Sequence, residues 1–133
     1  MSKSHGKQDH TYEIAFLESV LKRNERDPVV VETLANLYTE AGLYSKGLAL
    51  DRRNVELSPQ SATAHYNLAC SLSLTGAPDE AFAELGMALD LGFDDVEWMR
   101  KDPDLNALRD DPRWTNVARK AVSRGEDGPR AEG

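Results

Sequence analysis

The chain has 133 residues, 40% of them hydrophobic, a formal net charge of −7 and a single cysteine, Cys70. That length holds one domain or a short array of repeats, and one cysteine excludes an intrachain disulfide. The acidic balance argues against a nucleic-acid partner, because phosphate binders present a basic face, and the basic clusters Arg52-Arg53 and Arg119-Lys120 are short. No stretch reaches the roughly 18 apolar residues of a membrane span. The opening MSKSHGKQDH lacks the apolar run of a secretory signal. The chain therefore reads as soluble and cytoplasmic, without membrane contact.

Residues 1–9 are polar and aperiodic, which predicts disorder. Ile14, Leu17 and Leu21, with Phe16 and Val20 beside them, recur at three-and-four spacing and predict a helix over 11–24. Asp27-Pro28 then offers an N-cap followed by a proline at the first helical position. Pro59 closes one helix and Pro78 opens another, while Gly42, Gly76 and Gly92 fall where helices stop and can take the left-handed conformation. Short helices are expected near 95–101 and 103–109, and a longer one over 112–122, with Asp102-Pro103 and Asp111-Pro112 repeating the start signal. Residues 123–133 are rich in Gly, Pro and charge, a composition that cannot offset its ordering entropy, and are expected to be disordered. No strand alternation is sustained between the ends, so the fold class is all-α.

A shift of 34 residues superimposes one part of the chain on the next. Leu34-Ala35 falls on Leu68-Ala69, Gly42 on Gly76, Gly47 on Ala81, Val55 on Leu89 and Leu57 on Leu91. The small residues have a physical reading, since Ala35 and Gly47, and likewise Ala69 and Ala81, let the helices of a hairpin approach closely. A large apolar residue, a Leu-small pair, an aromatic or Leu, a turn glycine and a further small residue appear twice: Val31, Leu34-Ala35, Tyr38, Gly42, Gly47, and His65, Leu68-Ala69, Leu72, Gly76, Ala81.

This pattern resembles the tetratricopeptide repeat, a helix-turn-helix unit of that period. DPDLNALRDDPRW (102–114) resembles a tail found after the last repeat of bacterial proteins of this family, where it acts as a cap. The resemblance implies a short right-handed superhelical solenoid of antiparallel hairpins over residues 10–122. It comprises an N-terminal helix (10–27), repeat 1 (28–61), repeat 2 (62–95) and a partial repeat with cap (96–122). Trp98, Met99, Leu105, Leu108 and Trp114 are the expected covering residues, since an open stack ends in an apolar face. Repeat 1 departs from the pattern at Asp51 and Asn54. Two readings stay open: a polar contact between Asp51 and His65, or both side chains leaning to solvent.

Catalytic constellations are missing from the sequence. There is no Gly-rich phosphate loop, no GxSxG, no HExxH and no Cys/His spacing suited to zinc. His5 and His10 lie in or beside the N-terminal segment, and His65 stands alone at an apolar position. Cys70 reads as a small packed residue. No enzyme activity, catalytic residue, metal or cofactor is expected.

In this repeat family the first helices of successive hairpins line a concave groove. The resemblance places Glu32, Asn36 and Thr39 on the stripe of one first helix and Tyr66, Cys70 and Ser73 on the next, with Asn67 beside them and Lys101 following. An Asn amide suits a peptide backbone. Some family members clamp a terminal carboxylate with lysines, asparagines and an arginine. Asn36, Asn67 and Lys101 match part of that set, but Glu32 and Glu97 stand at the lysine positions and would repel a carboxylate. The expected function is an adaptor or scaffold that holds a peptide or protein partner. A small acidic chaperone for one client and a self-assembling homo-oligomer are the alternatives.

Overall fold

The computed structural model describes residues 10–127, with side chains through residue 123. The segments 1–9 and 128–133, expected to be disordered, lie outside the described residues. Every regular element among the described residues is helical: α1 (Thr11–Arg23), α2 (Pro28–Glu40), α3 (Tyr44–Leu57), α4 (Ala62–Leu74), α5 (Pro78–Asp90), α6 (Val96–Lys101), a 3₁₀ turn (Pro103–Leu105), α7 (Asn106–Arg109) and α8 (Arg113–Asp127). None of them is long and apolar enough to cross a membrane. The last helix passes the expected stop at residue 122, so 123–127 are helical.

Local chemistry fixes the boundaries. Asp27 caps α2 by accepting from the Val29 amide at 3.0 Å, with Pro28 at the first position. Ser61 caps α4 through the Ala64 amide at 3.1 Å, and Asp95 caps α6 through the Trp98 amide at 3.2 Å. The hairpin turns share one geometry. Gly42 (φ 82°) ends α2, with the Leu43 amide donating to the Tyr38 carbonyl at 2.8 Å and the Gly42 amide to Thr39 at 3.0 Å. Gly76 (φ 81°) ends α4 with the corresponding pair, Ala77 to Leu72 at 2.9 Å and Gly76 to Ser73 at 3.3 Å. This is the Schellman closure, and the left-handed φ is why both positions are glycine.

The chain forms two compact units, residues 1–59 and 60–133. In the first, α2 pairs with α3, and α1 packs on α2. Its core is Val31, Leu34, Ala35, Tyr38 and Leu50, with Ile14, Leu17 and Leu21 of α1 packed against it. The Tyr38 hydroxyl donates to Glu18 at 2.6 Å, and His10 meets Glu40 at 3.0 Å, so α1 is tied to α2 at its N-cap and at its middle. Burial and the Glu18 carboxylate push the Tyr38 hydroxyl up to about 12.

In the second unit α4 pairs with α5, the 3₁₀ turn and α7 pack on α4, and α8 packs on α5 and α6. Met99, Leu105 and Leu108 are fully buried as covering residues, and Trp114 is half-buried. Trp98 is not a covering residue: it is 42% exposed, because the turn of α6 that sends Met99 inward leaves its neighbour outside. Asp51 and His65 are both buried, which overturns the reading in which they lean to solvent. His65 Nδ1 lies 2.6 Å from a Glu84 carboxylate oxygen on α5.

Gly47 of α3 lies close against α2. A Cβ there would stand 2.6 Å from Thr39 Oγ1 and 3.4 Å from the Ala35 carbonyl. Gly47→Ala should therefore destabilise by ~1–2 kcal/mol instead of giving the usual gain of alanine in a helix. The same substitution made together with Thr39→Ala should lose most of that cost; urea denaturation of the two variants tests the contact.

Candidate binding surface

The first helices of the two hairpins, α2 and α4, differ in what surrounds them. Asn36 of α2 is exposed, and Glu32 and Thr39 are half-buried. Thr39 turns toward α3, its hydroxyl donating to the Ala35 carbonyl at 3.2 Å. Helix α4 is buried almost all round, with α5 on one side and the protein's own tail on the other. Tyr66, Cys70 and Ser73 are enclosed, so their stripe faces this chain and not an open surface. Asn67 is half-buried, and Lys101 is exposed at the end of α6. The structure thus brings Tyr66 and Cys70 together at one point, and leaves Asn36 and Lys101 on the surface.

The point where they meet is Asp102, a residue sequence reasoning took only as a helix cap. It is 4% exposed. One carboxylate oxygen accepts the Asp104 amide at 3.0 Å, which caps the 3₁₀ turn. The other accepts the Tyr66 hydroxyl at 2.6 Å and faces the Cys70 thiol at 3.7 Å. The Tyr66 ring stacks on Phe93, centroids 4.2 Å apart and planes 7° from parallel. Arg109 donates to the carbonyls of Met99 and Asp102, both at 2.9 Å, and its guanidinium lies 5.2 Å from the Trp114 ring. Farther along, Asp111 caps α8 through the Arg113 amide at 2.9 Å, and Arg113 reaches back to Asp79 on α5 at 2.9 Å. No local signal could have found the Tyr66–Asp102 bond, which links residues 36 apart in sequence.

The electrostatics of this cluster favour neutral forms. Burial, then the neighbouring Asp102 and Asp104 carboxylates, pushes the Cys70 thiol up. A nucleophilic cysteine needs the opposite shift. Burial, followed by Cys70 and Asp102, likewise pushes the Tyr66 hydroxyl up. The ligand atoms of Cys70, Asp102 and Asp104 lie within 4.8 Å of one another, a donor set of metal-binding type. Both Asp102 oxygens already accept hydrogen bonds from this chain, so the set acts as an internal lock.

Two surface hollows of the first unit, about 270 and 400 Å³, share Glu25 and Arg53. Both are lined by charges of both signs, so neither selects one sign of ligand. Compared with models of protein families and with curated proteins, the chain finds no match.

Tyr66→Phe removes the hydroxyl from a buried carboxylate and should destabilise by ~2 kcal/mol in chemical denaturation. Asp104 gives a prediction of opposite sign. Burial, then the Asp102 charge, raises its pKa. The folded state therefore holds that proton more tightly than the unfolded chain. The resulting stability is present at pH below the ordinary carboxyl value and is lost as pH rises through the raised one. Asp104→Asn should raise the melting temperature at pH 7, and the gain should vanish near pH 3.

Proposed function

We propose that the chain is a tetratricopeptide-like interaction module, a short solenoid of hairpins whose first helices hold a peptide or protein partner. The repeated Schellman closures at Gly42 and Gly76, one period apart, support the repeat reading. So do the small residues at the hairpin contacts, Ala35 with Gly47 and Ala69 with Ala81. The observation that carries the reading is on α4. There the stripe already grips a segment of chain: extended backbone at Asp102 (φ −61°, ψ 117°), its carboxylate held by Tyr66, whose ring is in turn stacked on Phe93. That is the recognition a partner-binding stripe performs, carried out in cis.

On this reading the accessible part of the stripe in the first unit is Glu32 and Asn36 on α2. The Asn36 amide can donate to and accept from a peptide backbone. The Glu32 carboxylate disfavours an acidic ligand and favours a basic or neutral one. The buried Tyr66, Cys70 and Asp102 are bound to one another, which leaves function to the surface and supports a role without catalysis.

The test begins with a partner captured by the full chain from its native cytoplasm and confirmed by reverse capture, then titrated by calorimetry. Glu32→Ala combined with Asn36→Ala should weaken that complex at least ~10-fold, in line with loss of one or two anchor residues, with the melting temperature unchanged. A partner that binds the double variant at full strength, or no partner that survives reverse capture, would falsify the assignment.

A further inference from the structure

Helix α1 is the element the fold uses least. None of its thirteen residues is fully buried. Ile14, Leu17, Glu18 and Leu21 turn toward α2, yet the opposite face carries two aromatic rings, Tyr12 at 89% and Phe16 at 67% exposure. Tyr12, Phe16, Ser19 and Arg23 fall at four, three and four residue steps, the spacing of a helix seam that packs on another helix.

We infer that this face is a self-association surface, on which α1 of a second copy of this chain packs antiparallel about a twofold axis. The face is complementary to itself in that orientation. With the axis level with the midpoint between residues 17 and 18, the Tyr12 ring meets Arg23 of the second copy. The Phe16 ring lies over the small Ser19. Each contact occurs twice, as an isologous interface requires. A guanidinium over a tyrosine ring is attracted by the ring's quadrupole. Charge decides the direction. The first turn of α1 carries Glu13 and the last turn Lys22 and Arg23, so antiparallel packing sets acid beside base and opposes the helix dipoles favourably. A parallel pair would bring the four basic side chains to one end.

The area sets the strength. The two exposed rings supply on the order of 300 Å² per copy. With the flanking side chains the interface reaches about 1,000 Å² in total, the lower limit for a specific complex. A reversible dimer with a dissociation constant of roughly 10–100 μM follows. The inference rests on α1 alone and stands apart from the partner-binding stripe.

Sedimentation equilibrium of the full chain over a range bracketing that constant tests it. The wild type should pass from monomer to dimer. Phe16→Ser and, separately, Tyr12→Ser should each weaken dimerisation at least ~5-fold, while circular dichroism shows unchanged helicity and melting. Arg23→Ala should also weaken it. A wild type that stays monomeric throughout overturns the inference, as does a dimer indifferent to both ring substitutions. Tighter association of Arg23→Ala overturns it too, because relief of repulsion marks the parallel arrangement.

Discussion

A carboxylate taken out of water costs several kcal/mol unless its lone pairs are met. Asp102 satisfies that demand with groups from separate parts of the second unit: a backbone amide of the 3₁₀ turn and the Tyr66 hydroxyl and Cys70 thiol of α4. Its backbone carbonyl is met as well, by Arg109 of α7. These groups converge in only one placement of the tail. Met99, Leu105 and Leu108 supply the apolar burial that drives the tail onto α4. Asp102 decides the register in which it lands, since a slip by one residue would leave the charge buried and unmet.

The first unit buries polar side chains as well, Asp51 and Asn54 of α3, each 2% exposed. Its hairpin closes on the small pair Ala35 and Gly47, and α1 is tied to α2 through Tyr38 with Glu18 and His10 with Glu40. With no buried residue of its own, α1 is the element most readily opened. The same shortage of contacts leaves its aromatic face on the surface.

The buried titratable groups of the second unit engage one another. Cys70 and Tyr66 are pushed toward their neutral forms by burial and acidic neighbours. His65 is engaged with Glu84 across the α4–α5 hairpin. At the surface, the Arg113 side chain holds the Asp111 carboxyl down at about 2, but that pair caps a helix. In the second unit the polarised groups meet each other.

The sequence by itself determined the helices, because their signals are local. Caps such as Asp27, prolines at first positions, and glycines able to take positive φ act within four residues, and the 34-residue period exposed the hairpins. It also marked Met99, Leu105 and Leu108 as covering residues, since apolar spacing survives any tertiary arrangement. Only the tertiary structure decided what lies on the stripe of α4. Tyr66, Cys70 and Ser73 have the spacing of an exposed helix face, and nothing nearby in sequence says that Phe93 and Asp102 will close over it. The same holds for Trp98, whose exposure depends on which way a six-residue helix turns. Periodicity reports that a face exists; what packs on it is set by residues dozens of positions away, whose positions only the folded chain fixes.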